Sequence, residues 1–365
     1  MHIVNFKILL LIKKVNFPFD KDLPINKLAS IFNKTSAAYK FYWFISILQA
    51  LESGKSKITK IEIFSRMISN SWYTINYFNV SFGKQDLIPE VINSINLLET
   101  ITIDEDQEAV YQKLLYTKNK DIQKHLWHFN NNVPHWFLSP WFPKIENENY
   151  TKRKKRIYYE SSKFSSKCLY ALHQEFIEIN PDWLDYLTNN SRVLKDFCYW
   201  NLALFLQAKN PNVPDIPNKL IKPAKRNSLK TQRDNYWSKY LNEKKSTCIF
   251  TNELLNPNNY ELDHFVPFSF VSHDLMWNLV PISKSFNSRK SNKLPDMKKH
   301  FKPFFNIQKD AFFTLNNQIS KKVNQEYVQL FKKIESSEDF SYQLMKNTIG
   351  PLITLAKNNG FEEMN

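Results

Sequence analysis

Asp263 and His264 stand together at the end of a short apolar run, Glu-Leu-Asp263-His264-Phe-Val-Pro267. Asn278 follows fourteen residues after His264, in Trp277-Asn278-Leu-Val-Pro281. Asn287 comes nine residues later, in Phe286-Asn287-Ser-Arg-Lys290-Ser-Asn-Lys293. A carboxylate, an imidazole and amide oxygens suit metal-assisted phosphodiester cleavage. That reaction needs an activated water, a neutralised scissile phosphate and a stabilised leaving oxygen. A bound metal ion does the last two. Hard oxygen ligands of this kind select Mg²⁺ or Mn²⁺.

Such groups work only if local structure aims them. Residues 260–262 read as a strand that delivers Asp263 and His264. Adjacent strand residues point to opposite faces, so one site can use both only if the chain bends after the strand. Pro267 is well placed for that bend. Residues 279–282 read as the returning strand. Ser283 is a fitting N-cap for a helix through Asn292. Asn287 lies on its second turn, with Lys290 on the same face three residues on. The predicted layout is strand, loop, strand, helix, with a metal between the first strand and the helix. His273 and Asp274 fall in the loop between the strands and are expected to order it.

With these residues in place, the segment resembles the HNH nucleases of the ββα-metal superfamily. It is most similar to the variant with Asn in the third position, as in the HNH domain of RNA-guided CRISPR effector nucleases. The resemblance covers residues 246–296, about a seventh of the chain. It implies that His264 is the general base and that Asp263 and Asn287 are metal ligands. It also implies that Asn278 holds the loop that aims the histidine, and that Lys290 is a phosphate contact. Lys293 and Arg289 are expected nucleic-acid contacts. One departure stands out: many such domains bind a structural zinc through two Cys-x-x-Cys pairs, whereas Cys248 stands alone here. No structural zinc is expected, and Cys248 reads as a small buried residue.

The charge pattern points to the same partner. The chain carries a net charge of +15 over 365 residues. Residues 144–167, 219–245 and 284–302 together account for +18, so the remainder is slightly acidic. Phosphate binding requires such clustering. Lys225, Arg226 and Lys230 in the second window are expected nucleic-acid contacts.

Elsewhere the pattern is helical. Residues 41–51 are apolar nearly all round, as in a buried helix. Residues 58–72, 87–98 and 107–116 have helical spacing. Ser191 is expected to cap a helix through Phe205 that buries Val193, Leu194, Phe197, Trp200 and Leu204. The Pro- and aromatic-rich stretch 131–143 should pack over the core. Prolines 211, 214, 217 and 223 mark a boundary. Phe312, Leu315, Ile319, Val323, Tyr327, Leu330 and Ile334 predict one long amphipathic helix. The fold class is therefore mainly α with a small α+β module. The expected parts are a helical domain at 1–208 for target or partner recognition, a basic Pro-rich linker at 209–235, a ββα-metal nuclease domain at 236–300, and a C-terminal helical segment at 301–365.

Other classes are disfavoured. The four glycines form no phosphate loop, and Gly83-Lys84 lacks the upstream glycine of a P-loop. No apolar run reaches the roughly 18 residues that a bilayer requires. The apolar start, residues 1–14, reads as a strand or buried helix, not a signal peptide. Three lone cysteines suggest no disulfide framework and a cytoplasmic setting. The expected activity is Mg²⁺- or Mn²⁺-dependent endonucleolytic cleavage, with DNA as substrate. A homodimer or a partner on the helical domain, and restriction or anti-phage defence, fit this reading. The alternatives are a non-cleaving nucleic-acid-binding or assembly subunit, and a nuclease acting on RNA.

Overall fold

A computed structural model describes residues 17–33, 35–222, 228–315 and 318–364. The expected N-terminal element at residues 1–14 lies outside the described residues, as do Lys225 and Arg226. The fold is mainly helical, with 58% of the chain in helices. The chain divides into two compact units. One holds residues 1–77, 81–210 and 220–222; the other holds 78–80, 211–219 and 223–365.

The first unit is built around α1 (Tyr39–Glu52), whose residues Phe41–Leu48 are all buried. An all-round apolar helix has to be enclosed. It is flanked by α2 (Lys60–Asn76), entered through strand β1 (Lys57–Thr59). Thr59 caps α2 by accepting from the Glu62 N–H, a Thr-x-x-Glu start signal that ends the strand. Later elements are α3 (Tyr150–Ser161), β2 (Tyr170–Leu172), β3 (Phe176–Ile179) and α4 (Ser191–Lys209). The strands form an antiparallel sheet in the order β1-β3-β2, with Ile58 opposite Ile177 and Tyr170 opposite Ile179. Sequence periodicity missed this sheet because strands of three or four residues show too little alternation. The Tyr170 hydroxyl accepts from Trp43 Nε1 and donates to the Pro134 carbonyl, tying the sheet to α1. In the 131–143 stretch Val133, Phe137, Leu138, Trp141 and Phe142 are buried, as expected of a core cover.

One helix face is corrected. On α4 the residues Val193, Trp200 and Leu204 are exposed, at 51%, 51% and 47%. Leu194 is buried as expected, together with Cys198, Leu202 and Leu206. That stripe advances in steps of four and meets the densely aromatic α1, which outweighs the larger side chains on the other face.

The second unit contains two short ribbons and the C-terminal helices. Strand β4 (Ser246–Thr247) pairs with β5 (Leu254–Leu255), and β6 (Glu261–His264) pairs with β7 (Leu279–Ile282). Then follow α5 (Lys284–Lys290), α6 (Met297–Leu315), α7 (Lys321–Phe331) and α8 (Tyr342–Asn358). The single long C-terminal helix predicted by spacing is thus divided. Ser320 Oγ accepts from the Val323 N–H and starts α7 as a new helix. No described helix is long and apolar enough to cross a membrane.

Candidate active site

The β6–β7 ribbon sets the register of the site. Asp263 lies opposite Val280, and His264 opposite Leu279. Leu279, Val280 and Ile282 are wholly buried. The predicted returning strand and the structural one share the same bounds. The predicted first strand is extended to include Asp263 and His264 themselves, so the bend follows both. Pro267 opens a short helical turn, Phe268–Val271, which Ser272 ends in a left-handed conformation (φ 59°).

Asn278 fastens this bend. Its side chain accepts from the Val266 N–H at 2.9 Å and donates to the Val266 carbonyl at 2.9 Å. Its own carbonyl accepts from the Phe265 N–H at 2.8 Å. The residue is wholly buried. Replacing it with alanine leaves both Val266 backbone groups without partners, each costing about 1–3 kcal/mol. Asn278→Ala should therefore lower unfolding stability by about 2–5 kcal/mol. Urea denaturation checks this, and an unchanged midpoint would contradict it.

His264 is 2% exposed. Its Nε2 lies 2.8 Å from Asp274 Oδ1, and its ring is 5.4 Å from that of Phe268. Sequence spacing gave no sign that Asp274 would reach the histidine, because loop residues follow no period. Neighbouring His273 packs against Trp277 at 5.1 Å. Burial, with the nearby His264 adding to it, lowers His273 to about 4. His273 is therefore neutral at physiological pH. The loop is braced from outside: the Met276 N–H donates to Glu326 of α7 at 2.7 Å, and Gln308 of α6 donates to the Leu279 carbonyl at 2.7 Å. These braces lie beyond the short motif, so motif spacing could not show them.

Asp263 faces a different partner. Lys290 of α5 is wholly buried, with its ammonium 2.7 Å from Asp263 Oδ2 and donating to the His264 carbonyl at 2.8 Å. This corrects the expectation for Lys290: it does not face solvent as a phosphate contact would. A buried ammonium needs a charge partner, and Asp263 supplies it.

Asn287 meets Glu261, not Asp263, through its side-chain amide. Glu261 was overlooked in the sequence, although strand period two puts it on the same face as Asp263. Glu261, Asp263 and Asn287 thus offer oxygens on neighbouring elements. Among the described residues no three His, Cys, Asp or Glu side chains converge as a metal-binding group. Mg²⁺ does not require such a cage, since it binds through one or two carboxylates and completes its shell with water and phosphate oxygens. The all-oxygen donor set of Glu261, Asp263 and Asn287 fits such an ion. Cys248 is buried.

The basic residues divide by position. Arg289 is exposed above the Phe286 ring, and Lys293 is half-buried with Glu362 at 4.0 Å. Lys230 is exposed and lines a cleft of about 410 Å³ with Ser228, Arg233 and Glu261. Asp234 and Leu262 also line that cleft, so its basic side chains share it with two carboxylates.

A strand pair joined by a loop and followed by a helix, with Asp-His at the first strand's end and Asn on the helix, has the layout of an HNH nuclease module. Residues 246–296 match the family model described as HNH endonuclease, and this domain implies a nuclease acting on nucleic acid. Family members generally use a divalent metal. No curated protein and no solved structure matches the chain.

Proposed function

We propose that the chain is a Mg²⁺- or Mn²⁺-dependent endonuclease that hydrolyses DNA at the β6–β7–α5 site. The observation that carries this reading is His264, held at the strand end with Nε2 on Asp274 and its backbone on Lys290. Asp274 accepts the Nε2 proton, which puts the lone pair on Nδ1 and fixes the ring's orientation. His264 then takes a proton from the attacking water. Asp274 is a positioning residue. Asp263 and Asn287, with Glu261 beside them, would hold the metal ion. When bound, the ion supplies charge for the scissile phosphate and the leaving oxygen. Asn278 acts through the backbone, setting the bend that aims His264.

Lys290 balances Asp263 in this reading and keeps β6 and α5 together. Phosphate contacts pass to Arg289, Lys293, Lys230 and Arg233, with Lys225 and Arg226 proposed for the same role from sequence. A single site of this kind cuts one strand, so a double-strand break needs a dimer or two visits. Restriction or anti-phage defence is proposed as the setting by family-level association. The similarity to the HNH domain of CRISPR effectors is confined to the module.

Matched labelled duplex DNA, single-stranded DNA and RNA, incubated with Mg²⁺, Mn²⁺ or EDTA, test the substrate. Expected are metal-dependent cuts in DNA that leave 5′-phosphate and 3′-hydroxyl ends. Cleavage of RNA alone would move the activity to RNA. No cleavage of any substrate would favour a binding or assembly subunit.

A further inference from the structure

The basic window at residues 144–167 belongs to the helical unit and has no part in the site above. Half of it forms α3, whose Thr151, Lys154, Lys155, Tyr158 and Tyr159, with Ser162 just after it, line a groove of about 690 Å³. Asn130, Leu172, His173 and Gln174 line it too. Arg156 is neutralised by Glu148 and Glu160. Arg153 is engaged by the Phe142 carbonyl and the Trp136 ring. Among the described residues Lys154 and Lys155 make no ion pair, so two cations of the helix face the groove uncompensated.

A third cation lies behind them. Lys60 is wholly buried at the first position of α2, where the helix dipole already places positive charge. Its ammonium donates to Asn130 Oδ1 at 2.8 Å and to the Tyr158 hydroxyl at 2.9 Å. Both partners are neutral, and both line the groove. Burial lowers Lys60 to about 7; Glu175 opposes that shift and Lys154 adds to it. Beside it His135 is buried, with neither ring nitrogen hydrogen-bonded. Burial, then Lys154, Lys60 and Arg153, push His135 to about 3. His135 is therefore neutral near pH 7 and Lys60 only partly charged, which leaves Lys154 and Lys155 as the groove's uncompensated positive charge.

The groove's shape indicates which anion. Thr151 to Ser162 extends along roughly 16 Å of helix. That length runs beside several consecutive phosphates of one nucleic-acid strand. An exposed aromatic ring, Tyr159, lies beside the cations, with Lys163 over it at 3.8 Å. Alternating cations and aromatic faces bind single strands through phosphate contacts and stacking.

We propose that this groove on the helical unit holds a nucleic-acid strand, with Lys154 and Lys155 on its phosphates and Tyr159 against its sugars or bases. The inference rests on the reading of the chain as acting on nucleic acid, and it adds a binding surface outside the nuclease module. Binding is measured with the full chain in EDTA, by anisotropy of a labelled DNA oligonucleotide across a salt series. Lys154→Glu with Lys155→Glu changes surface residues only, and thermal melting verifies the fold. The double variant should bind roughly ten- to a hundredfold more weakly, with a log–log salt slope shallower by about two. Tyr159→Ala should weaken single-strand binding more than duplex binding. Affinity within threefold of wild type and an unchanged slope in the double variant would overturn the proposal. Displacement of the oligonucleotide by millimolar AMP or inorganic phosphate at constant ionic strength would also overturn it, since that marks a mononucleotide or phosphate pocket. A chain that never cleaves but loses strand binding in the double variant would support the groove and sink the nuclease reading.

Discussion

His264→Ala is expected to slow metal-dependent cleavage by about 10²–10⁴-fold, the contribution of a positioned general base. The protein should remain folded. The backbone at this position is held by pairing with Leu279 and by Lys290, neither of which needs the imidazole. Initial rates on duplex DNA at saturating Mg²⁺, with circular dichroism as the fold check, give the answer. A rate within threefold of wild type would place the base elsewhere. Asp274→Asn serves as the companion variant. An amide oxygen still accepts from Nε2 and keeps the ring oriented, while the charge is lost. It should fall between wild type and His264→Ala in rate, with KM little changed.

Asp263→Ala should have two effects. Removing the carboxylate leaves the Lys290 ammonium buried without its partner, a change that costs about 3–5 kcal/mol in comparable pairs. The same change deletes an oxygen proposed to bind metal. The Mn²⁺ concentration needed for half-maximal cleavage should therefore rise by roughly tenfold or more, as for the loss of a group that supports a metal site. The two effects separate in Asp263→Ala with Lys290→Met. Taking away the stranded cation should restore much of the stability in urea without restoring metal affinity. Equal metal dependence in wild type and Asp263→Ala would remove Asp263 from the ligand set. Unchanged stability would mean that the Lys290–Asp263 contact carries no net energy.

What the sequence revealed and what it concealed follow from the range of the interactions involved. Strand β7 and the start of α5 were legible because their signals lie within a few residues. An apolar run of four residues bounded by Asn278 and Ser283 reads as a short buried strand leading into a helix. The bidentate role of Asn278 agrees with its position between loop and strand, since buried amides satisfy backbone groups there. Lys290 misled because a lysine three residues from a ligand on a short basic helix reads as solvent-facing. Only the fold shows that α5 turns it inward against β6. Asp274, Gln308 and Glu326 were not legible as a set, since their bonds to β6, β7 and the loop are tertiary. Glu261 was readable, because two residues along a strand restore the same face. On α4 the larger aromatic and aliphatic residues drew attention from the buried Cys198, Leu202 and Leu206. Burial follows the shape of the surface a helix meets, not the size of its side chains alone.

The central claim is that the His264–Asp274 pair and the neighbouring oxygens of Asp263 and Asn287 form one metal-dependent nuclease site. Nicking of supercoiled plasmid by purified wild-type chain and by His264→Ala, each with Mg²⁺ and with EDTA, tests it most directly. Open-circular product from wild type in Mg²⁺ alone is the predicted result. Equal nicking by His264→Ala, or nicking that persists in EDTA, would contradict it.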